Sequence, residues 1–301
     1  MAKRIISSIL SCVLLLSMVM QVQSVLWADT IGVDTSQFVY LPLIATGPEI
    51  FACATISTEV YTAGDVTAYD TDDPVRPAAQ HADKNIALRS YAANTDGALQ
   101  RELVDYGSDD PTQPPQFATL FSPNQVPPFA EFYRVYNWAW AASPEAGTRG
   151  EISTFYKTTA LGLTLPEGEP LYVPTSGYDI GGGMEVVVLY ADADTVTLHY
   201  SREDTAARGY TLHIDNICTD PNLLDLYEQL DAPDGDRYTD PSAGYQLPEL
   251  AAGQKFGTTD TDPMVILIAD TGSFQDPRSC NEWWQIRPDY TGSCPAAITV
   301  R

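Results

Sequence analysis

Three histidines, five cysteines and 40 Asp and Glu side chains are the groups in this 301-residue chain that could carry acid–base, nucleophilic or metal chemistry. A serine or cysteine nucleophile needs a base beside it, and only His81, His199 and His213 are on offer as imidazoles. Neither a G-x-S-x-G elbow nor a G-x-x-x-x-G-K-[ST] phosphate loop is present. Gly181-Gly182-Gly183 lacks dinucleotide-binding spacing and reads as a tight turn. Paired carboxylates are the machinery of glycoside hydrolysis, but with 40 acids some pair is inevitable and the signal says nothing. Asp231, Asp234, Asp236 and Asp240 gather around Gly235, and Asp70, Asp72 and Asp73 form a second group. Hard oxygen ligands of this kind suit calcium. The EF-hand spacing is not met, so solvated acidic loops are the simpler reading and no cofactor is expected, with calcium at these loops the alternative.

The charge balance excludes partners as firmly as it proposes any. There are 16 Lys and Arg against 40 Asp and Glu, a formal charge of −24. Nucleic-acid binding depends on cations neutralising phosphates, so no nucleic-acid partner is expected. Anionic lipid is disfavoured for the same reason. Hydrophobic residues make up 44% of the chain, enough for a real core despite the charge.

Residues 1–24 read as a secretory signal. Lys3 and Arg4 precede an apolar stretch from Ile5 to Met20, and Val22-Gln23-Ser24 supplies small residues near a cleavage point. The stretch is about 16 residues, short of the roughly 20 that span a bilayer, so cleavage is expected over anchoring. Removing Lys3 and Arg4 leaves 14 cations against 40 acids, a charge of −26. No later stretch is apolar enough to span. A secreted, extracellular or cell-surface protein is therefore expected. Four cysteines remain: Cys53, Cys218, Cys280 and Cys294. An even number in an oxidising compartment points to two disulfides with three possible connectivities. Cys280 and Cys294 close a short loop and are the favoured pair, which leaves Cys53 with Cys218. The same loop holds Trp283 and Trp284, which read either as a packing anchor or as a sugar-stacking surface.

The elements that must position these groups are mostly strands. Residues 25–50 read as an extended lead-in, with Pro42 inside an apolar run. Residues 51–150 form a β-rich region, a small domain of its own or a wrap around the rest. It is interrupted by Pro111, Pro114, Pro115, Pro123, Pro127 and Pro128, a density that no regular element survives. From 151 to 301 the strand signals sharpen. Glu185–Tyr190 and Met264–Ile268 are continuous apolar runs, while Thr195–Tyr200 and Tyr210–Asp215 alternate. The alternation puts His199 with Thr195 and Thr197, and His213 with Thr211 and Asp215, on the polar sides of their strands, and reads both as partly exposed strand histidines. One helix stands out: Asp220 is a good N-cap, Pro221 suits the first helical position, and Leu223, Leu226, Tyr227 and Leu230 mark an apolar face ending near Asp231. The fold class expected is mainly β.

The order of motifs over residues 171–278 resembles the lysostaphin-like zinc endopeptidases that cut peptidoglycan peptides. Gly177-Tyr178-Asp179-Ile180 is similar to that family's H-x-G-x-D-I turn, and Gly209–Asn216 to its G-x-x-v-x-I-x-H strand. Leu226-Tyr227-Glu228-Gln229-Leu230 stands where the family has l-Y-a-H-L, although a capped helix is read here and the family has a strand. Leu250–Gly257 is similar to its v-k-x-G-q-x-i-G turn, and Ile266–Pro277 to its closing strand and D-P. The resemblance implies an antiparallel sheet or β-roll of the duplicated hybrid-motif type. It also implies that the metal ligands are missing. Asp179 matches the family's Asp, but Thr175 stands at its first His, Gln229 at the His of l-Y-a-H-L, and Pro263 and Val265 at its H-x-H pair. A catalytic zinc needs three protein ligands and an open position, and one carboxylate cannot supply them.

What the resemblance implies is a non-catalytic module. Its former substrate groove, near Tyr178, Asp179, His213 and Asp215, would bind a cell-wall peptide or glycan or another secreted protein. The alternative is an active secreted hydrolase, with zinc relocated to His199, His213 and Asp179 or with carboxylate chemistry.

Overall fold

The computed structural model describes residues 52–67, 76–105, 114–231 and 245–294, all within one unit spanning Glu49–Arg301. The segment read as a signal, the lead-in before residue 52, and the acidic groups at Asp70–Asp73 and Asp234–Asp240 lie outside the described residues.

The architecture is mainly β and antiparallel. In chain order the strands are β1 (Thr62–Val66), β2 (Tyr91–Ala93), β3 (Phe129–Ala139), β4 (Thr148–Ile152), β5 (Ala160–Leu163), β6 (Pro170–Tyr172), β7 (Val186–Ala191) and β8 (Thr195–His199). They continue with β9 (Tyr210–Asp215), β10 (Ile217–Thr219), β11 (Tyr245–Leu250), β12 (Lys255–Thr259), β13 (Met264–Asp270) and β14 (Ser273–Phe274). One large sheet runs in the order β1-β11-β7-β8-β9-β13-β5-β3-β2, with β14 on β13 and β4 on β3; a smaller sheet is β10-β12-β6. Three strands from residues 51–150, with β4 across the boundary, are thus hydrogen-bonded into the same sheet as strands from residues 151–301.

The helix expected after Asp220 forms as α2 (Pro221–Asp231). The Asp220 side chain accepts the Asn222 amide at 3.0 Å and the Ser57 hydroxyl at 2.6 Å, so one carboxylate caps the helix and ties down the N-terminal strap. The buried face differs slightly from the sequence reading. Leu223 and Tyr227 are buried and Leu224, not Leu226, packs against the core, because the helix lies on its 223–224–227 stripe. Among the described residues two one-turn α-helices accompany it, α1 (Ile86–Arg89) and α3 (Cys280–Trp283).

The sheet has a core on each face. The larger includes Val188, Leu198, Leu212, Ile214 and Ile266, together with Phe117, Phe132, Trp283 and Trp284. Trp283 and Trp284 are buried, with their indole N–H groups donating to the carbonyls of Asp276 and Pro277, so they anchor the core rather than a sugar surface. The smaller comprises Ile86, Val135, Ala160, Val265 and Leu267, with Tyr91, Tyr133 and Phe274 against it. Both disulfides are formed in the favoured pairing, Cys53–Cys218 and Cys280–Cys294.

Candidate functional site

The residues singled out from the sequence do not line one groove. On β9 the even-numbered residues face the larger core and the odd-numbered ones the opposite side. Tyr178 packs on the rings of Tyr200 and Tyr210, on the large-core face. His213 and Asp215 lie on the other face, with the sheet between. Asp179 is exposed in the turn before β7, where its Oδ1 accepts the Gly181 amide at 2.8 Å. That turn needs glycine: Gly181, Gly182 and Gly183 all take positive φ, between 71° and 103°.

His199 and His213 are buried, not the partly exposed strand histidines that alternation predicts. They belong to a three-rung ladder between β8 and β9. The register pairs Thr195 with Asp215, Thr197 with His213 and His199 with Thr211. Every rung is hydrogen-bonded: Thr195 Oγ1 donates to Asp215 at 2.8 Å, Thr197 Oγ1 meets His213 Nδ1 at 3.0 Å, and His199 Nδ1 meets Thr211 Oγ1 at 2.9 Å. His199 Nε2 meets Ser201 Oγ at 2.9 Å, which commits both of its nitrogens. Thr197 donates its hydroxyl proton to the Lys84 carbonyl at 2.7 Å, so His213 Nδ1 must be the donor in their contact. His213 Nε2 is then a bare acceptor, buried and without a partner. Burial holds both imidazoles neutral, pushed down to about 3.

The segment 76–93 covers this ladder. Lys84 Nζ meets Asp204 at 2.6 Å with both side chains 1% exposed, and the Tyr91 hydroxyl donates to Asp215 at 2.6 Å. His199 and His213 are therefore capped by protein while Asp179 is exposed in its turn, and their ligand atoms do not gather as a relocated set. Among the described residues, one grouping brings three His, Cys, Asp or Glu ligand atoms within 4.8 Å: Cys53, Cys218 and Asp260. Its sulfurs are joined to each other, and a disulfide offers no thiolate.

Beside the smaller core lies a cleft of about 550 Å³ that sequence reasoning missed. Its position follows from a break in one strand line. β3 pairs with β5 through Phe129–Tyr133 and with β4 through Tyr136–Ala139, so β4 and β5 lie along the same edge. Residues 153–159 leave that edge between them, held at their ends by Ser153 N–H to Val135 O and Thr159 N–H to Tyr133 O. The excursion carries Phe155 and Tyr156 out of the sheet. Facing it is the β13–β14 hairpin, whose turn residues Thr271 and Gly272 have φ of 50° and 77°. The Tyr156 hydroxyl donates to Gln275 Oε1 at 3.1 Å and joins the two walls. Val135 and Arg89 also line the cleft.

The chemistry of this cleft is aromatic and polar. Phe155 is 81% exposed and meets Tyr156 edge-on at 4.9 Å. Phe274 stacks on the His213 ring at 5.7 Å, its plane tilted by 27°, and lies beneath the Arg89 guanidinium at 5.4 Å. Arg89 is paired and held in place: Nε and Nη2 donate to the Asp83 carboxylate, Nε to Ala82 O as well, and Nη1 to Tyr136 O. The side chains of Asn137, Ser153 and Ser273 have no hydrogen-bond partner among the described residues. Asp270 accepts one hydroxyl, from Thr271 at 2.9 Å.

No family model matches this chain, and no curated protein does.

Proposed function

We propose that this chain is a secreted, non-catalytic binding module on a degenerate lysostaphin-like β-fold, which engages a cell-wall peptide or glycan or another extracellular protein. The observation that carries this reading is the cleft between residues 153–156 and the β13–β14 hairpin. Its volume falls within the range of small-molecule and cofactor sites, and it combines an exposed ring with side chains whose hydrogen-bonding capacity is unspent. The groove expected near Tyr178, Asp179, His213 and Asp215 gives way to this cleft as the candidate surface. Two disulfides support life in an oxidising compartment. Among the described residues no helix is long and apolar enough to cross a membrane. The ordered motifs around Asp179 support the family reading, and α2, where the family has a strand, is a departure from it.

The test is the mature protein, purified from culture medium and incubated with insoluble cell wall after chelation. Retention on the wall with no soluble fragments released is the expected result. Near-stoichiometric zinc in the purified protein, with wall hydrolysis lost on chelation, would favour the hydrolase instead. Amino-terminal sequencing of the exported chain checks the processing site and is expected to begin near residue 25.

A further inference from the structure

We propose that the ligand taken by the cleft is a neutral oligosaccharide; this rests on the binding-module reading above and narrows it to one ligand class. The charge inventory decides against an anion. The cleft's cation, Arg89, has its charge satisfied by Asp83 and its donors directed at Asp83, Ala82 and Tyr136. With Asp83 counted beside Arg89, Asp270 leaves the charged groups at the cleft at a net −1, within a chain of charge −24. An acidic ligand would enter against both fields.

The uncommitted groups favour a polyhydroxylated ligand over a cationic peptide. Three of them are neutral: the Asn137 amide, which donates and accepts, and the Ser153 and Ser273 hydroxyls, which do both. One carboxylate, already accepting from Thr271, stands against these three. A sugar ring has an apolar C–H face and a rim of hydroxyls. Phe155, exposed at the lip, offers the flat apolar surface for the first, and the amide, hydroxyls and Asp270 serve the second. A volume of about 550 Å³ accommodates a short oligomer rather than a single ring, with the open side allowing the chain to continue.

The experiment is titration calorimetry of the purified mature protein. The probes are a panel of neutral gluco-, manno-, galacto- and N-acetylhexosamine oligomers, with an oligouronate and an oligolysine as charged controls. At least one neutral oligomer is expected to bind, with an affinity that changes less than twofold between 50 and 500 mM salt. Phe155→Ala and Asn137→Ala are each expected to weaken it at least tenfold. Both side chains are exposed, so their melting temperatures are expected to match the parent and separate lost binding from lost folding. The proposal is overturned if no neutral oligomer binds, if the two variants bind as the parent does, or if the oligouronate or oligolysine binds more tightly. Cell-wall retention that Phe155→Ala abolishes, combined with silence of the neutral panel, would sink the sugar assignment and leave the binding module standing. No wall retention by the parent, combined with a silent neutral panel, would sink both the sugar assignment and the wall-binding reading.

Discussion

At the scale of single residues, this protein keeps its polar chemistry inside. Lys84 and Asp204 form an ion pair with both partners almost fully buried. Removing one partner of such a pair leaves the other charge without compensation and costs about 3–5 kcal/mol. Lys84→Met is expected to lower the unfolding free energy by about that much in urea titrations, and Lys84→Met with Asp204→Leu to restore most of it. The two ladder histidines set the response to acid. Each is held at about 3 in the folded protein against about 6.5 in an unfolded chain. Between those values the unfolded state binds more protons, so stability is full above about pH 6.5 and falls as the pH drops toward 3. The slope is about 1.4 kcal/mol per pH unit for each histidine. Denaturant titrations across pH 4–7 should show it, and His199→Gln or His213→Gln should each remove about half of the part contributed by the two ladder histidines. His81, part-buried against Trp140 and held down to about 2, adds in the same direction.

At the scale of elements, local sequence rules held wherever one element decided its own conformation. The Asp220–Pro221 start of α2 and the glycine turn at 181–183 were legible because capping and positive φ are properties of a few adjacent residues. Asp220→Ala is expected to cost about 1 kcal/mol as a lost cap, with a further loss from the broken Ser57 contact, read as a lowered melting temperature. The strap ahead of β1 depends on Cys53–Cys218, which closes a loop of 165 residues. Paired Cys53→Ser and Cys218→Ser substitution is expected to destabilise the protein by about 2–5 kcal/mol, measured by equilibrium unfolding. Alternation on β8 and β9 correctly grouped the histidines with threonines. It misread their exposure, because it reports which residues share a face and not whether another segment covers that face.

At the scale of the whole molecule, the N-terminal region is part of the sheet. β3 is the neighbour of β5, and Phe117, Leu120, Phe121 and Phe132 fill the larger core. Residues 151–301 expressed alone would expose the β5 edge and that core together. Such a fragment is expected to aggregate or to lack dispersed amide resonances, while residues 49–301 fold cooperatively; size-exclusion chromatography and a two-dimensional NMR spectrum distinguish the outcomes.

By itself the sequence determined the β class, the place of α2 and the acidic character of the chain. It also favoured the correct cysteine pairing. Each of these follows from composition, periodicity or short-range spacing. Only the tertiary structure decided that the sheet parts Tyr178 from His213, and that residues 76–93 bury the ladder. It alone placed residues 153–156 opposite the β13–β14 hairpin to open a cleft. Those outcomes depend on which strands become neighbours across more than a hundred residues, a choice made by the joint burial of many side chains and written in no single stretch of chain.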